Sequence, residues 1–487
     1  MDTSPDNKEL GAYYTPTEVV QELVCWATNG RTDAPTLDPS CGDGRFLRGL
    51  ESGVGVDLDP AAITRARSVV PTAELYRRDF FAWARSSAPD FDAVVGNPPF
   101  IRYQRFSGEA RRRAQAFCEA RGVRLSGLSS SWAHFVVGAS TLLRPGGRLG
   151  FVVPAEIGYA VYARNVVRYL VDSFGELRIR AVRKKLFPHL SEDCWLLEAA
   201  DFGGRARKVT LSLADEFGGA GTTWTDIAIP RDLLEEYEWR LRPFLLPPPI
   251  LDAYDRTRRS GGVRRLGEIV RLGIGYVTGA NDFFHLRPSE AAQWRIPDKF
   301  LTPAVRSSRD LQGDDVSQRT VRSWLTEDRP SLLLDLNEVS RIPAAVRRYL
   351  DSEEGRFARQ SYKCQTRDPW YCVPDVRVPD AFLSIMAGAE PRLVSNSSGA
   401  VCTNSVHAVH LADGYTISDI QRSWATPLAR LSCEVEGHSL GGGLLKLEPR
   451  EARQILLPLE FDVDIGTSQL LEAGIHSMRE WRGVSDS

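Results

Sequence analysis

The stretch Phe91-Asp-Ala-Val-Val-Gly-Asn-Pro-Pro-Phe100 joins a short apolar run to a rigid turn. Phe91–Val95 reads as a buried strand, as do Gly53-Val-Gly-Val56 and Gly147-Arg-Leu-Gly-Phe-Val-Val153, each bounded by Gly, Pro or Asp. Between the last two runs, Trp132, Phe135, Val136, Ala139, Leu142 and Leu143 recur at helical spacing, and Arg144-Pro-Gly-Gly147 is expected to end that helix. Strands alternating with helices in this way predict an α/β domain with a parallel sheet covered on both faces, a doubly wound, Rossmann-like design.

With 487 residues the chain exceeds one ordinary domain. The rhythm breaks at Leu245-Leu-Pro-Pro-Pro249, where consecutive prolines favour an extended spacer. Residues 1–245 and 246–487 are therefore expected to be separate domains, the second a less regular, mixed α+β one.

Hydrophobic residues at 43% and charged residues at 25% fit a soluble globular chain. No apolar run is long enough to span a bilayer, and Met1–Leu10 lacks the apolar core of a signal peptide, so a cytoplasmic protein without membrane partners is expected. Eight scattered cysteines form no Cys-x-x-Cys pair, and with seven histidines no metal spacing emerges, which leaves buried reduced thiols and no metal site. The net charge of −2 does not point to nucleic acid by itself, but a basic face needs no basic total. Arg102, Arg105, Arg111, Arg112, Arg113, Arg121 and Arg124 follow the Asn-Pro-Pro turn closely; a solvated helix with Glu109 and Glu119 as partners fits them equally well.

Three strand ends carry groups suited to a nucleoside. In Thr36-Leu-Asp-Pro-Ser-Cys-Gly-Asp-Gly-Arg-Phe46, Gly42 and Gly44 allow a tight turn where a ligand approaches the backbone. Asp57, in Gly55-Val-Asp-Leu-Asp-Pro60, stands where an acid grips ribose hydroxyls. Asp79-Phe80 offers an acceptor for an adenine amino group and a ring to cover a base. Each acid also suits a helix N-cap, Asp59 before Pro60 most plainly. In Asn97-Pro98-Pro99-Phe100 two prolines stiffen the backbone and remove N–H donors. The Asn97 side-chain oxygen and the Pro98 carbonyl can then accept both hydrogens of a planar amino group and aim its lone pair at an electrophile. Phe100 offers a face for a base.

On these motifs the chain resembles the γ-class, TaqI-type N6-adenine DNA methyltransferases of restriction–modification systems. Tyr14, Thr15 and Pro16 resemble the segment over the cofactor's methionine portion, and Asp38-Pro39-Ser-Cys41-Gly42-Asp-Gly44 the cofactor loop. Asp57 with Leu58 resembles the ribose-binding site, and Asp79-Phe80 the adenine-binding pair. Asn97, Pro98, Pro99 and Phe100 match the catalytic tetrapeptide, Phe replacing the commoner Tyr, with Asn97 and Pro99 also facing the cofactor. Leu143-Arg-Pro-Gly-Gly147, Phe151-Val-Val-Pro154 and Leu186-Phe-Pro188 continue the likeness, which implies that Phe187 stacks on the second face of the target base. In the second half, Gly273–Phe284, Arg367–Tyr371 and Gly441–Pro449 resemble the C-terminal parts of larger relatives, which read the target sequence.

The resemblance implies S-adenosylmethionine as cofactor, a methyltransferase domain followed by a target-recognition domain, and double-stranded DNA held in a positively lined cleft with one adenine flipped out. Arg102, Arg105 and Lys446 are the expected DNA contacts, with Trp370 or Tyr371 as further candidates. No nuclease or helicase signature accompanies the motifs, so a cognate restriction endonuclease or defence subunit is an expected partner. N4-cytosine DNA methylation, protein glutamine methylation and a non-catalytic DNA-specificity subunit are the competing functions.

Overall fold

The computed structural model describes residues 15–88, 90–187, 193–337, 339, 341–440, 442–460 and 463–484. Its internal contacts divide the chain into two compact units, Met1–Leu245 and Leu246–Ser487.

The first unit is built on a nine-stranded sheet in the order β3-β2-β1-β4-β5-β7-β6-β8-β9. The strands are β1 Thr36–Asp38, β2 Gly53–Asp57, β3 Glu74–Arg77, β4 Phe91–Gly96, β5 Leu143–Pro154, β6 Phe174–Val182, β7 Cys194–Phe202, β8 Lys208–Ala214 and β9 Thr225–Pro230. β3, β2, β1, β4 and β5 run parallel, with Leu37 level with both Val54 and Val94. β7 lies antiparallel between β5 and β6. The chain steps outward from β1 to β3 and then resumes on the other side at β4, so the strand order reverses between β1 and β4. In such sheets the carboxyl ends at that reversal form the ligand crevice.

The helices of this unit are α1 Thr17–Thr28, α2 Pro60–Val69, α3 Phe80–Ala84, α4 Gly108–Glu119, α5 Ser131–Ser140 and α6 Ala163–Ser173. The amphipathic α1 buries Val19, Val20 and Leu23 and packs on β4 and β5. Apolar helix α5 is buried along nearly its whole length. It stops at Ser140, earlier than expected. Leu142 and Leu143 are buried, Arg144 is tied to Asp90 at 2.6 Å and Asp92 at 3.1 Å, and the Pro-Gly-Gly turn becomes an irregularity within β5 opposite β4.

The second unit is a mixed α+β assembly of small sheets. The largest has five strands, ordered Val270–Ile274, Val406–Leu411, Ala381–Ser384, Leu393–Asn396 and Asp315–Val316. Beside it lie a four-stranded sheet around Leu332–Leu334 and a three-stranded one in which Leu444–Lys446 is central. The prolines expected to form a spacer instead start the helix Pro248–Arg258, with Pro247 as N-cap. The first turn of a helix has no use for the N–H groups that proline lacks, so prolines there begin a helix as readily as they break one.

Of the eight free cysteines six are buried, whereas Cys25 is exposed and Cys372 half-buried. Among the described residues no helix is long and apolar enough to cross a membrane, and no cluster of metal-ligating side chains occurs.

Candidate active site

At the reversal between β1 and β4 lies a cavity of about 320 Å³. Its floor is the loop after β1. The Gly42 N–H donates to Asp57 Oδ2 at 2.8 Å, and Gly44 N–H closes the turn on the Cys41 carbonyl at 2.8 Å. Asp57, at the end of β2, also accepts from the Asp59 N–H through Oδ1 at 2.8 Å, so its carboxylate is oriented by backbone alone. Burial pushes its pKa up against these two bonds. Asp79 caps α3 through the Ala82 N–H at 2.9 Å and pairs with Arg113 at 3.2 Å, while Phe80, Phe81 and Phe135 form an apolar wall.

Asp38 ends β1 behind this floor and is 1% exposed. Its Oδ1 accepts from the Ser40 N–H at 3.1 Å, and its Oδ2 has no partner among the described residues. Burial holds its carboxyl well above the usual range. Gly96 makes room for it: with φ +153° it adopts backbone that other residues rarely reach, and a Cβ there would stand 2.8 Å from Asp38 Oδ1.

The tetrapeptide follows β4 directly and is gripped from two sides. The Asn97 amide donates through Nδ2 to Thr15 Oγ1 at 3.1 Å, and Thr15 is itself held by Arg45, which donates to its carbonyl and pairs with Asp43 at 2.7 Å. At the other end stands Ser131, the first residue of α5. Its N–H donates to the Ile101 carbonyl at 3.0 Å, its Oγ accepts from the Ile101 N–H at 2.8 Å, and the same hydroxyl donates to the Pro99 carbonyl. Among the described residues no donor engages the Pro98 carbonyl. The turn therefore sets an oriented amide at the cavity next to a carbonyl that no donor engages, on the buried Pro98.

Residues 54–181 match the family model of the Eco57I restriction-modification methylases, and residues 239–480 match that of the C-terminal domain of type II methyltransferase M.Eco57I. The chain is a methyltransferase of the restriction–modification type. It is 26% identical over 467 residues to the type II methyltransferase M.XamI of Xanthomonas campestris pv. amaranthicola, covering 92% of this chain and 85% of the relative. To M.AccI of Acinetobacter calcoaceticus it is 19% identical over 481 residues, covering 91% and 84%. The fold matches that of the Type IIL restriction-modification enzyme MmeI, solved in complex with DNA, with a TM-score of 0.57 and 11% identity over 98% of this chain and 72% of MmeI.

The cofactor of this methyltransferase is S-adenosylmethionine, and the cavity suits it. An aromatic wall fits an adenine, a backbone-oriented carboxylate at a strand end fits ribose hydroxyls, and a buried carboxylate oxygen lacking a donor lies behind the loop between them.

Of the residues singled out from sequence, Thr15, Pro39, Cys41, Gly42, Asp57, Leu58, Asp79, Phe80, Asn97, Pro99 and Arg105 line the cavity. Asp38 and Gly44 support it from behind, and Tyr14 lies outside the described residues. Phe100 is half-buried and packs on a core cluster that contains Phe187. Phe187 itself is 6% exposed, so it presents no open face for a base in this conformation, contrary to expectation. The surrounding Val95, Val152 and Leu186 explain why: the ring completes an apolar core. Arg102 is exposed away from the cavity lining, and Lys446, on a hairpin, is paired with Glu448 at 2.5 Å. Half-buried Trp370 packs on Phe283 and Phe284, with Tyr371, also half-buried, against it.

Sequence reading missed Arg45 and Ser131. Arg45 follows the Gly-x-Gly turn immediately and could have been weighed with it. Ser131 carried only a faint signal, a run of three serines before the Trp132 helix.

Proposed function

We propose that this methyltransferase moves a methyl group onto N6 of an adenine in duplex DNA, as the modification half of a restriction–modification or phage-defence pair. The observation that carries the reading is the tetrapeptide at the strand reversal: Asn97 and Pro99 line the cavity, held by Thr15 and Ser131, and the buried Pro98 between them has no donor on its carbonyl among the described residues.

When bound, S-adenosylmethionine supplies an electrophilic methyl carried on a sulfonium. The chain's own residues then have three tasks. Asn97 Oδ1 and the Pro98 carbonyl accept the two amino hydrogens of the target base, which localises the nitrogen lone pair and aims it in line. Phe100 stacks on the extruded ring. Thr15 and Ser131 keep the acceptors still, so that much of the rate gain is positioning. Giving up its methyl would leave the cofactor as the neutral thioether, and the methylated amino group would release one proton to solvent. Asn at the first position favours adenine over cytosine, whose N4 enzymes commonly begin with Ser. The second unit, matched by a methyltransferase C-terminal family, takes the role of target recognition, as the solved MmeI–DNA complex suggests by its fold.

Single-molecule sequencing of host DNA after expression of the wild-type chain and of Asn97→Ala tests this. N6-methyladenine in one short sequence context, absent from the variant, is the expected result. N4-methylcytosine instead, or no modified base, would overturn it.

A further inference from the structure

In the second unit, residues 347–363 bring exposed cations and exposed rings together. Some arginines of this unit pair with acids: Arg329 with Asp310 at 2.8 Å, Arg430 with Glu472 at 2.6 Å, Arg482 with Glu434 at 2.8 Å. Over residues 347–363, Arg347, Arg348, Arg356, Arg359 and Lys363 are all exposed, and none reaches a carboxylate within 4 Å among the described residues. Only Asp351, Glu353 and Glu354 oppose them in this stretch. Two large rings stand between these cations. Phe357 is 76% exposed and Tyr362 74% exposed, although both belong to short helices, Glu353–Arg359 and Tyr362–Gln365, whose inner residues Ala358 and Cys364 are buried.

The platform under this surface is stiff. Arg367 donates to the Thr278 carbonyl at 2.7 Å and to the Val277 carbonyl, and Tyr349 Oη donates to the Phe283 carbonyl at 2.6 Å. The Phe283 and Tyr349 rings stack at 4.7 Å with 4° between their planes. Gly279, at φ +84°, lets the backbone approach so closely that a Cβ there would lie 2.6 Å from Lys363 Cβ. The Gly273–Phe284 and Arg367–Tyr371 segments thus build the mount, and the intervening helices present the charges.

From this we infer that the exposed face formed by Arg347, Arg348, Arg356, Phe357, Arg359, Tyr362 and Lys363 docks on duplex DNA. The cations meet backbone phosphates, and the two rings press on sugars or base edges. The inference rests on the proposed DNA substrate. Five cations without an ion pair, grouped around two exposed rings, make a local positive surface on a chain whose net charge is −2, and a polyanion complements it. Exposed rings among guanidinium groups suit the edges of a groove, where apolar side chains wedge while Arg and Lys hold the strands.

The test uses the full chain and a fluorescent duplex of about 30 base pairs, with anisotropy read from about 50 to 200 mM salt. Three phosphate contacts contribute about 0.9 each to the slope of log affinity against log salt, so Arg356→Ala/Arg359→Ala/Lys363→Ala should flatten it by about 2.7. Across that fourfold salt range the wild-type chain should therefore lose about 40-fold more affinity than the variant. Phe357→Ala/Tyr362→Ala should bind at least about 30-fold more weakly with the slope kept, as the loss of two ring contacts predicts. Cofactor binding by calorimetry should match wild type in both, which establishes folding. Wild-type affinity and slope in the triple variant would overturn the surface while leaving DNA methylation standing. Loss of association with a protein partner at unchanged DNA affinity would do the same. A wild-type chain that neither binds nor methylates duplex DNA would overturn the underlying reading and the surface together.

Discussion

Replacing Ser131 by alanine should separate holding the tetrapeptide from merely folding it. The side chain is 1% exposed and makes two hydrogen bonds, to the Pro99 carbonyl and from the Ile101 N–H at 2.8 Å, while the backbone bond to Ile101 survives the change. Each bond contributes about 1 kcal/mol net, so about 2 kcal/mol of restraint is lost from the end of the turn that carries Phe100. If the restraint acts mainly in the transition state, where the acceptors must be in place, 2 kcal/mol corresponds to a fall of about 30-fold in kcat. Single-turnover methylation at saturating DNA measures this, with calorimetry giving the cofactor Kd in parallel. The expected pattern is a large loss in the chemical step with little change in cofactor affinity. A variant that melts a few degrees lower yet keeps its single-turnover rate would refute the argument, because Ser131 would then stabilise the loop without positioning anything.

Other outcomes follow from single side chains. Asp57→Ala removes the carboxylate that orders the Gly42 and Asp59 N–H groups; cofactor Kd should rise roughly 10–100-fold, as lost charged hydrogen bonds imply, and an unchanged calorimetric Kd would count against the site. Phe100→Ala should raise KM for DNA by about 5–100-fold through lost base stacking, with Phe100→Tyr near wild type; equal KM in all three would reject the stacking role. Glu198 is wholly buried beside Arg180, with 3.1 Å between Nε and Oε2, and burial pushes its pKa up from 4.5 to about 7. The folded pKa lies above the unfolded one, so the stability it lends is fully present below pH 4.5 and is lost as pH rises through about 7. Melting curves of wild type should therefore fall relative to Glu198→Gln between pH 5 and 8, and parallel curves would show that burial does not control this group.

The strand ends were legible because they depend on local signals. Asp57 and Asn97 each follow a short apolar run, while Asp79 follows the polar edge strand Glu74–Arg77, and a parallel sheet brings the carboxyl ends of its strands to one edge whatever lies between them. Where several local signals competed, the reading was less sure. Arg144-Pro-Gly-Gly147 looked like a helix stop, but burial of Leu142 and Leu143 had already started the strand. Pro247–Pro249 looked like a spacer, but the same missing N–H groups suit the first turn of a helix. Aromatic residues proved the hardest to assign, since a ring that stacks on a base and one that fills a core are the same side chain. Phe187 and Trp370 turned out to be packed, whereas Phe357 and Tyr362, which no motif marks, are the rings left in water. Ser131 was beyond local reading altogether: it meets the tetrapeptide across about 30 residues of chain, only because α5 begins where β4 ends. Motifs thus locate the groups that line the cavity. The groups that keep those motifs still are set by tertiary contact, and they carry no pattern of their own.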